Sequence, residues 1–171
     1  MDYFDVIDRR RSIRAFKDQP VEAEKSWKIL EALNRAPSAG NLQAYEVYLV
    51  CDARHKLALV EASGGQEFLA QAPLILVFCA HPDRSAEKYG KRGAELYCIQ
   101  DAAIACAFAM LAAGALGLST VWVGAFDEEA VRKIIEAPQA HRPVTMLPIG
   151  YAAEVPENGS RRSLTDLVHQ V

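Results

Sequence analysis

Ala102 to Phe126 is a run without a single charged side chain, and whatever this chain folds into has to cover it. The run is long enough to cross a bilayer. Gly114, Gly117, Ser119 and Thr120 interrupt it, however, and alanine dominates its first half, a pattern that suits a buried helix followed by a buried strand. Residues 94–117, AELYCIQDAAIACAFAMLAAGALG, predict the longest helix, ended by Gly117. So many alanines let a neighbouring backbone approach closely, as at a helix–helix contact within the protein or between subunits.

Around that helix the chain has ordinary globular character. Its 171 residues, 51% hydrophobic and 24% charged, suit one compact domain spanning 1–171. A formal net charge of -3 and a pI of about 5.8 argue against a field that gathers nucleic acid or anionic lipid, so any basic feature must act locally. Cys51, Cys79, Cys98 and Cys106 stand singly in apolar runs, without the spacing of a zinc or redox pair, and read as reduced core cysteines. The N-terminus meets charge at once, leaving no basic-then-apolar leader, so a cytoplasmic protein is expected.

Asp2 can cap a helix reaching about Arg11, with Tyr3, Val6 and Ile7 at helical spacing. A second helix is predicted from about Val21 to Ala36, with Trp27, Leu30 and Leu33 or Asn34 on one face. PSAGNLQA, residues 37–44, has the composition of a loop whose backbone approaches something closely. YEVYLVC reads as a strand, His55 to Ala62 as a helix, Gly64-Gly65 as a break, Phe68 to Gln71 as a helical turn and PLILVFCAH as a fully buried strand. A polar stretch from Pro82 to Gly93 interrupts the core. STVWVGAF predicts another strand, Asp127 caps the helix EEAVRKIIEA, and VTMLPIGY is the last apolar strand. Residues 155–171 hold too few apolar side chains for a core of their own and must lie across another surface.

Several chemistries lack their signatures. Neither G-x-G-x-x-G nor G-x-x-x-x-G-K-[ST] occurs, and H-E-x-x-H and G-x-S-x-G are missing too. His55, His81, His141 and His169 are scattered without metal-ligand spacing, and no metal is expected. What stands out is RRRSIRAF, residues 9–16: guanidinium forks bind phosphate bidentately and keep their charge at any relevant pH. A second basic pair, Arg161-Arg162, lies near the other end of the chain. Each cluster alone reads equally as a solvated surface; together they would form one pocket for a dianion.

In order along the chain, RRRSIRAF, APSAGNLQ, YGKRGAELYCIQDAA, ALGLSTVWVGAFDEEAV, LPIGYAAE and SRRSLTDLV make the sequence resemble the FMN-dependent nitroreductase family in its short, single-domain form. The resemblance implies an α+β fold with a central mixed sheet wrapped by helices, built as an intertwined homodimer with FMN at the subunit interface and the tail of about 155–171 docked on the partner. It implies that Arg10, Arg11 and Ser12 surround the FMN phosphate and ribityl chain, that Arg14 is the cation near the pyrimidine edge, and that Arg161 and Arg162 complete the phosphate site. Pro37, Ser38, Ala39, Gly40 and Asn41 match the loop given by the other subunit, Trp122, Val123 and Gly124 the segment behind the flavin, and Gln66 a contact to the ring edge or ribityl chain. The chain reads Asn41-Leu42-Gln43-Ala44-Tyr45 where many relatives have a proline before the aromatic residue, and it lacks an acidic residue before Gly124.

The implied function is NAD(P)H-dependent reduction of nitroaromatics, quinones or similar electron-poor small molecules by a ping-pong mechanism, with NADH or NADPH a transient visitor. Residues 81–97 are the candidate lid over the ring. Two alternatives stay open: other flavin chemistry on the same fold, and a flavin-binding or sensory module with little turnover. No nucleic acid or membrane partner is expected.

Overall fold

The computed structural model describes residues 2–156 and 159–171. Its centre is strand β2 (Leu74–Ala80), whose seven residues are all buried. Such a strand needs cover on both faces, and the alternation of side chains sends its residues to two separate cores. Ile75, Val77 and Cys79 join Leu59, Leu69, Val131 and Met146, whereas Leu74, Leu76 and Phe78 join Ile29, Leu33, Ala105, Ala109, Leu147 and Ile149.

β2 pairs antiparallel with β1 (Tyr45–Val50) on one side and with β4 (Arg142–Gly150) on the other. Short β3 (Ser119–Thr120) pairs antiparallel with β4 and completes the order β1-β2-β4-β3. The parallel component of this sheet is the bridge between Ser12 and Thr120, which adds the N-terminal segment outside β3. Helices α3 (Ala53–Ala62), α4 (Phe68–Gln71) and α7 (Glu128–Ile134) cover one face, and α2 (Ala23–Leu33) and α6 (Cys98–Ala115) the other. Asp127 caps α7 as expected, accepting from the Ala130 amide at 2.8 Å.

The strand predicted over 119–126 is cut short for a definable reason. Val123 and Met146 exchange both backbone hydrogen bonds, at 3.0 and 2.9 Å, in the same register as Thr120↔Ile149. The next hydrogen-bonded pair would therefore join Val121 to Pro148, which has no N–H to give. The ladder opens there and closes again at Val123.

Helix α1 (Tyr3–Arg9) begins with the reciprocal cap that Asp2 allows: the Asp5 amide donates to Asp2 at 3.0 Å and the Asp2 amide to Asp5 at 3.4 Å. It stops two residues earlier than expected, because Arg10 turns to extended backbone (ψ 124°) and Ser12 joins the sheet edge. Val6 is its buried residue, while Tyr3, Phe4 and Ile7 stay exposed. In α2, Trp27 is exposed rather than inward, and its indole N–H donates to Glu31 at 3.0 Å. At 3.6 residues per turn Trp27 lies about 200° from buried Ile29, on the opposite side of the helix.

The polar stretch expected to interrupt the core is helix α5 (Pro82–Arg92). His81 caps it and Pro82 opens it, then a wide turn over Gly93–Tyr97 leads without a break into α6. Among the described residues the helical stretch Pro82–Ala115, broken by the non-helical backbone of Gly90, is the one long and apolar enough to cross a membrane by length and composition alone. Here α6 lies against the sheet through Ala102, Ala105, Cys106, Ala109 and Ala113, leaving Ile104 and Phe108 on its outer side. Cys79, Cys98 and Cys106 are buried, and burial pushes the Cys79 thiol up to about 12 and the Cys106 thiol up as well. Cys51, just past β1, is exposed and does not belong to the core expected for it.

The described part of the tail folds only as the short helix α8 (Leu164–Leu167), with Leu164, Leu167 and Val168 exposed. It makes no core with its own protomer. A tight backbone approach lies at Gly93, where a Cβ would run into the Ser85 carbonyl and stand 2.8 Å from its carbon. Both obstacles are backbone, so Gly93→Ala must prise α5 from the turn. The expected cost is about 1–3 kcal/mol, seen as a lower urea midpoint with an unchanged denaturant slope; an unshifted midpoint refutes the close packing.

Candidate functional site

The arginine cluster sits where α1 ends and the chain enters the sheet edge. The Ile13 amide donates to Thr120 at 3.1 Å, the Lys17 amide to Tyr151 at 2.9 Å and the Ala153 amide to Ala15 at 2.9 Å, so the N-terminal segment is stitched between β3 and the chain leaving β4. Buried Ile13 and Phe16 anchor it in the core. Arg9, Arg10 and Arg11 line a cavity of about 290 Å³ with Ser119, Thr120 and Glu154. Ser12 and Arg14 alternate with Ile13 along extended backbone and share the side away from the core. The Arg14 amide is bound by the Glu154 carboxylate, and its guanidinium is exposed.

The cluster is rich in uncompensated charge. Among the described residues no carboxylate pairs with the guanidinium of Arg9, Arg10 or Arg14, whereas Arg84, Arg132, Arg142 and Arg162 elsewhere in the chain are in ion pairs. The Arg11 guanidinium is turned onto backbone carbonyls, donating to Asp8 at 2.5 Å and Arg10 at 2.8 Å. Arg161 and Arg162 are not brought to this place within the protomer. Arg162 holds Asp166 at 2.7 Å, Arg161 donates to the Ser160 carbonyl, and both are exposed.

The loop Pro37 to Asn41 leaves α2 and forms a tight turn, with Gly40 at φ 57° and Asn41 at φ 56°. Asn tolerates that left-handed conformation and Gly is at home in it. Gln43 also lies there, at φ 50°, just before the chain enters β1. Ser38 accepts from the Gln43 amide at 3.0 Å. A Cβ on Gly40 would stand 2.5 Å from the Tyr89 hydroxyl and 2.8 Å from Lys88 Nζ, so α5 packs on this turn and Gly keeps the space.

Asp101, on the buried side of α6, was not among the residues expected at the site. Only 2% exposed, it accepts from the Ala39 amide at 2.9 Å through Oδ1, while Oδ2 has no partner among the described residues. With burial first and the Asp101 charge second, the Tyr45 hydroxyl is pushed above its ordinary pKa. An acidic residue in an alanine-rich buried helix is the signal that could have revealed it, since such a group needs a donor.

On the other side of the sheet edge, Val123 is buried, whereas Trp122 and Gly124 face outward. A Cβ on Gly124 would crowd the Trp122 indole nitrogen at 3.2 Å. The Gln66 side-chain amide donates to Ser63 at 3.1 Å and Ala125 at 3.0 Å, tying the Gly64-Gly65 turn to this segment. Residues 81–97 form no open loop: Tyr89 and Tyr97 meet edge-on at 5.1 Å, and Arg92 donates to the Tyr97 hydroxyl at 3.0 Å.

Asp101 thus positions the Ala39 turn. The half-buried Ala39 amide loses its acceptor in Asp101→Ala, which is expected to speed hydrogen exchange there by about tenfold. Unchanged exchange there removes Asp101 from that role.

Comparison with known proteins gives this arrangement a lineage. The Nitroreductase family profile matches residues 7–66 and 55–151. The "FMN reductase [NAD(P)H]" of Bacillus subtilis is 35% identical over 157 residues, which are 84% of this chain but 63% of that protein's own length. The "Oxygen-insensitive NADPH nitroreductase" of Salmonella typhimurium is 30% identical over 173 residues, covering 97% of this chain and 72% of that one. Among solved structures, the "hypothetical oxidoreductase YcnD" of Bacillus subtilis superposes with a TM-score of 0.91 at 32% identity, over 99% of this chain and 74% of YcnD. A profile match over well more than half of its residues, joined to a fold shared almost end to end, makes this chain a member of the nitroreductase family.

Proposed function

We propose that the protein binds FMN at the arginine cluster and uses NADH or NADPH to reduce nitroaromatics, quinones or similar electron-poor acceptors. The observation that carries this reading is the set of guanidiniums at Arg9, Arg10 and Arg14 that pair with no carboxylate among the described residues. The cluster's donor chemistry fits a phosphate monoester with an anionic ring edge. Arg10, Arg11 and Ser12 hold the phosphate end, and exposed Arg14 reaches the pyrimidine edge. When bound, FMN supplies the hydride-accepting and electron-donating ring.

The protein's own part is position and charge. Arg14 stabilises negative charge that develops on the ring edge, and one such donor is worth about 3 kcal/mol. The outward Trp122 and Gly124, with Gln66 tied beside them, back one face. A single open slot would admit nicotinamide first and acceptor second, a ping-pong order. α5 and the following turn cover the Pro37 to Asn41 loop and serve as the lid.

The active form in this reading is an intertwined homodimer in the cytoplasm, with the tail of about 155–171 docked on the partner so that Arg161 and Arg162 complete the phosphate site. An open apolar surface supports it: Tyr3 and Val6 of α1 adjoin Phe108, Leu111 and Ala112 of α6 around a groove of about 320 Å³, and Phe4 and Ile7 of α1 are exposed as well. The names of the Bacillus and Salmonella relatives support the cofactor, the reductant and the acceptor class.

Purified protein is expected to be yellow and to bleach rapidly under anaerobic NADH or NADPH, then to recolour with a nitroaromatic or quinone. Arg10→Ala and Arg162→Ala are each expected to release FMN on gel filtration. Retention unchanged in both variants defeats the phosphate assignment, and a flavin that no nicotinamide reduces defeats the reductase.

A further inference from the structure

We propose that Glu46, His81 and His141 form a binding site for a divalent transition cation of the zinc class, apart from the flavin cluster. The three residues come from different parts of the chain, and the sheet register assembles them. Glu46 stands on β1 opposite Cys79 of β2, and Ala80 of β2 stands opposite Arg142 of β4. One step beyond that last pair puts His81 beside His141, with ring centroids 4.8 Å apart. One ligating atom from each of the three lies within 4.8 Å of the others, and all three residues are half-buried.

Two imidazoles and one carboxylate are the donors that zinc-class cations select, and three protein ligands leave one position open. Zn–N and Zn–O distances of about 2.0–2.2 Å bring tetrahedral donors roughly 3.4 Å apart, so binding draws the three side chains inward by about an ångström. An outer partner is already in place: the Tyr48 hydroxyl meets His141 Nδ1 at 2.7 Å, which orients the ring and leaves Nε2 to ligate. Residues 46, 81 and 141 have no metal-ligand spacing along the chain and converge only through strand pairing.

Arg84 sets the terms of binding. Its guanidinium pairs with Glu46 Oε1 at 3.1 Å, leaving the second carboxylate oxygen for the cation, and also donates to the Gln43 carbonyl at 3.1 Å. Its backbone amide donates to His81 Nδ1 at 3.3 Å, the cap of α5. A neutral imidazole has one lone pair to give. A cation held by His81 through Nδ1 takes that lone pair directly, and one held through Nε2 moves the ring proton onto Nδ1; either way the Arg84 amide loses its acceptor. Occupancy therefore loosens the first turn of α5. Because the His81 amide is bonded to the Ala44 carbonyl at 2.9 Å, the change reaches the end of the 37–44 loop.

The test uses metal-stripped, full-length protein and readouts independent of turnover. Co²⁺ titration is expected to give visible d–d bands saturating at one equivalent, which Zn²⁺ displaces. His141→Ala and Glu46→Gln are expected to abolish the bands. His81→Asn, which keeps a capping side chain but no imidazole, does the same while guarding against loss of the fold. Tyr48→Phe weakens binding by about tenfold or more, Arg84→Gln strengthens it by removing the competing cation, and His169→Ala leaves it unchanged. In the wild-type protein Zn²⁺ speeds exchange of the Arg84 amide. Absence of d–d bands at stoichiometric Co²⁺, or bands that persist in both His81→Asn and His141→Ala, overturns the proposal.

Discussion

The structure depends on one strand that has no solvent side. β2 carries no charge and is paired on both edges, so its alternating residues must each find a core, and two different helical layers grow on its two faces. Fully burying a large aliphatic side chain is worth about 1.5–3 kcal/mol, and Ile75, Leu76, Val77 and Phe78 are all fully buried. Their combined contribution is large beside the net stability of a typical domain. A register slip of one residue would exchange the two cores, so β2 also fixes the positions of everything paired with it.

The arginine cluster is a consequence of that frame. The N-terminal segment contributes only Ile13 and Phe16 to the core, yet these two side chains and the hydrogen bonds to Thr120 and Tyr151 fix its backbone at the sheet edge. With Ile13 committed inward, Ser12 and Arg14 have to face the other way. Pro148 shapes the same region from the opposite direction, since its missing N–H opens the ladder beside Val121 and frees Trp122 to lie at the surface. Both effects put polar or open features at one edge of a sheet whose interior is apolar.

The strands were readable because an apolar run bounded by turn residues leaves few choices: YEVYLV, LILVFCA and most of VTMLPIGY are strands as expected. Caps at Asp2 and Asp127 were readable for the same local reason. Trp27 was misplaced because helical spacing defines a face but does not say which of two faces turns inward, and Ile29 with Leu33 won the core. The helical character of residues 82–92 was hidden by Gly90, which sits at φ 54° inside the segment, and by a polarity that suits a surface helix and a loop equally. For the site, RRRSIRAF and PSAGN announced themselves through charge and through glycine, whereas Asp101 and the Glu46, His81 and His141 group did not. Their meaning depends on strand register and on a hydrogen bond from the Ala39 amide to a buried carboxylate, neither of which leaves a local pattern.

Helix α6 brings these strands of reasoning together. A helix that is apolar all round has to be buried all round, yet in the protomer only the face carrying Ala102, Ala105, Ala109 and Ala113 reaches the sheet. Ile104 and Phe108 remain outside, Phe108 beside the exposed Tyr3. The tail beyond residue 159 is exposed as well, and its Leu164, Leu167 and Val168 lack any core on their own protomer. The proposed second protomer answers both deficits at once, covering the outer face of α6 and offering the tail a surface. It would also carry Arg161 and Arg162 away from their own body to a neighbouring one, where the two basic ends of this chain could share a phosphate. The apolar face that most constrains the fold and the charge cluster that most constrains the function would then be satisfied by the same contact.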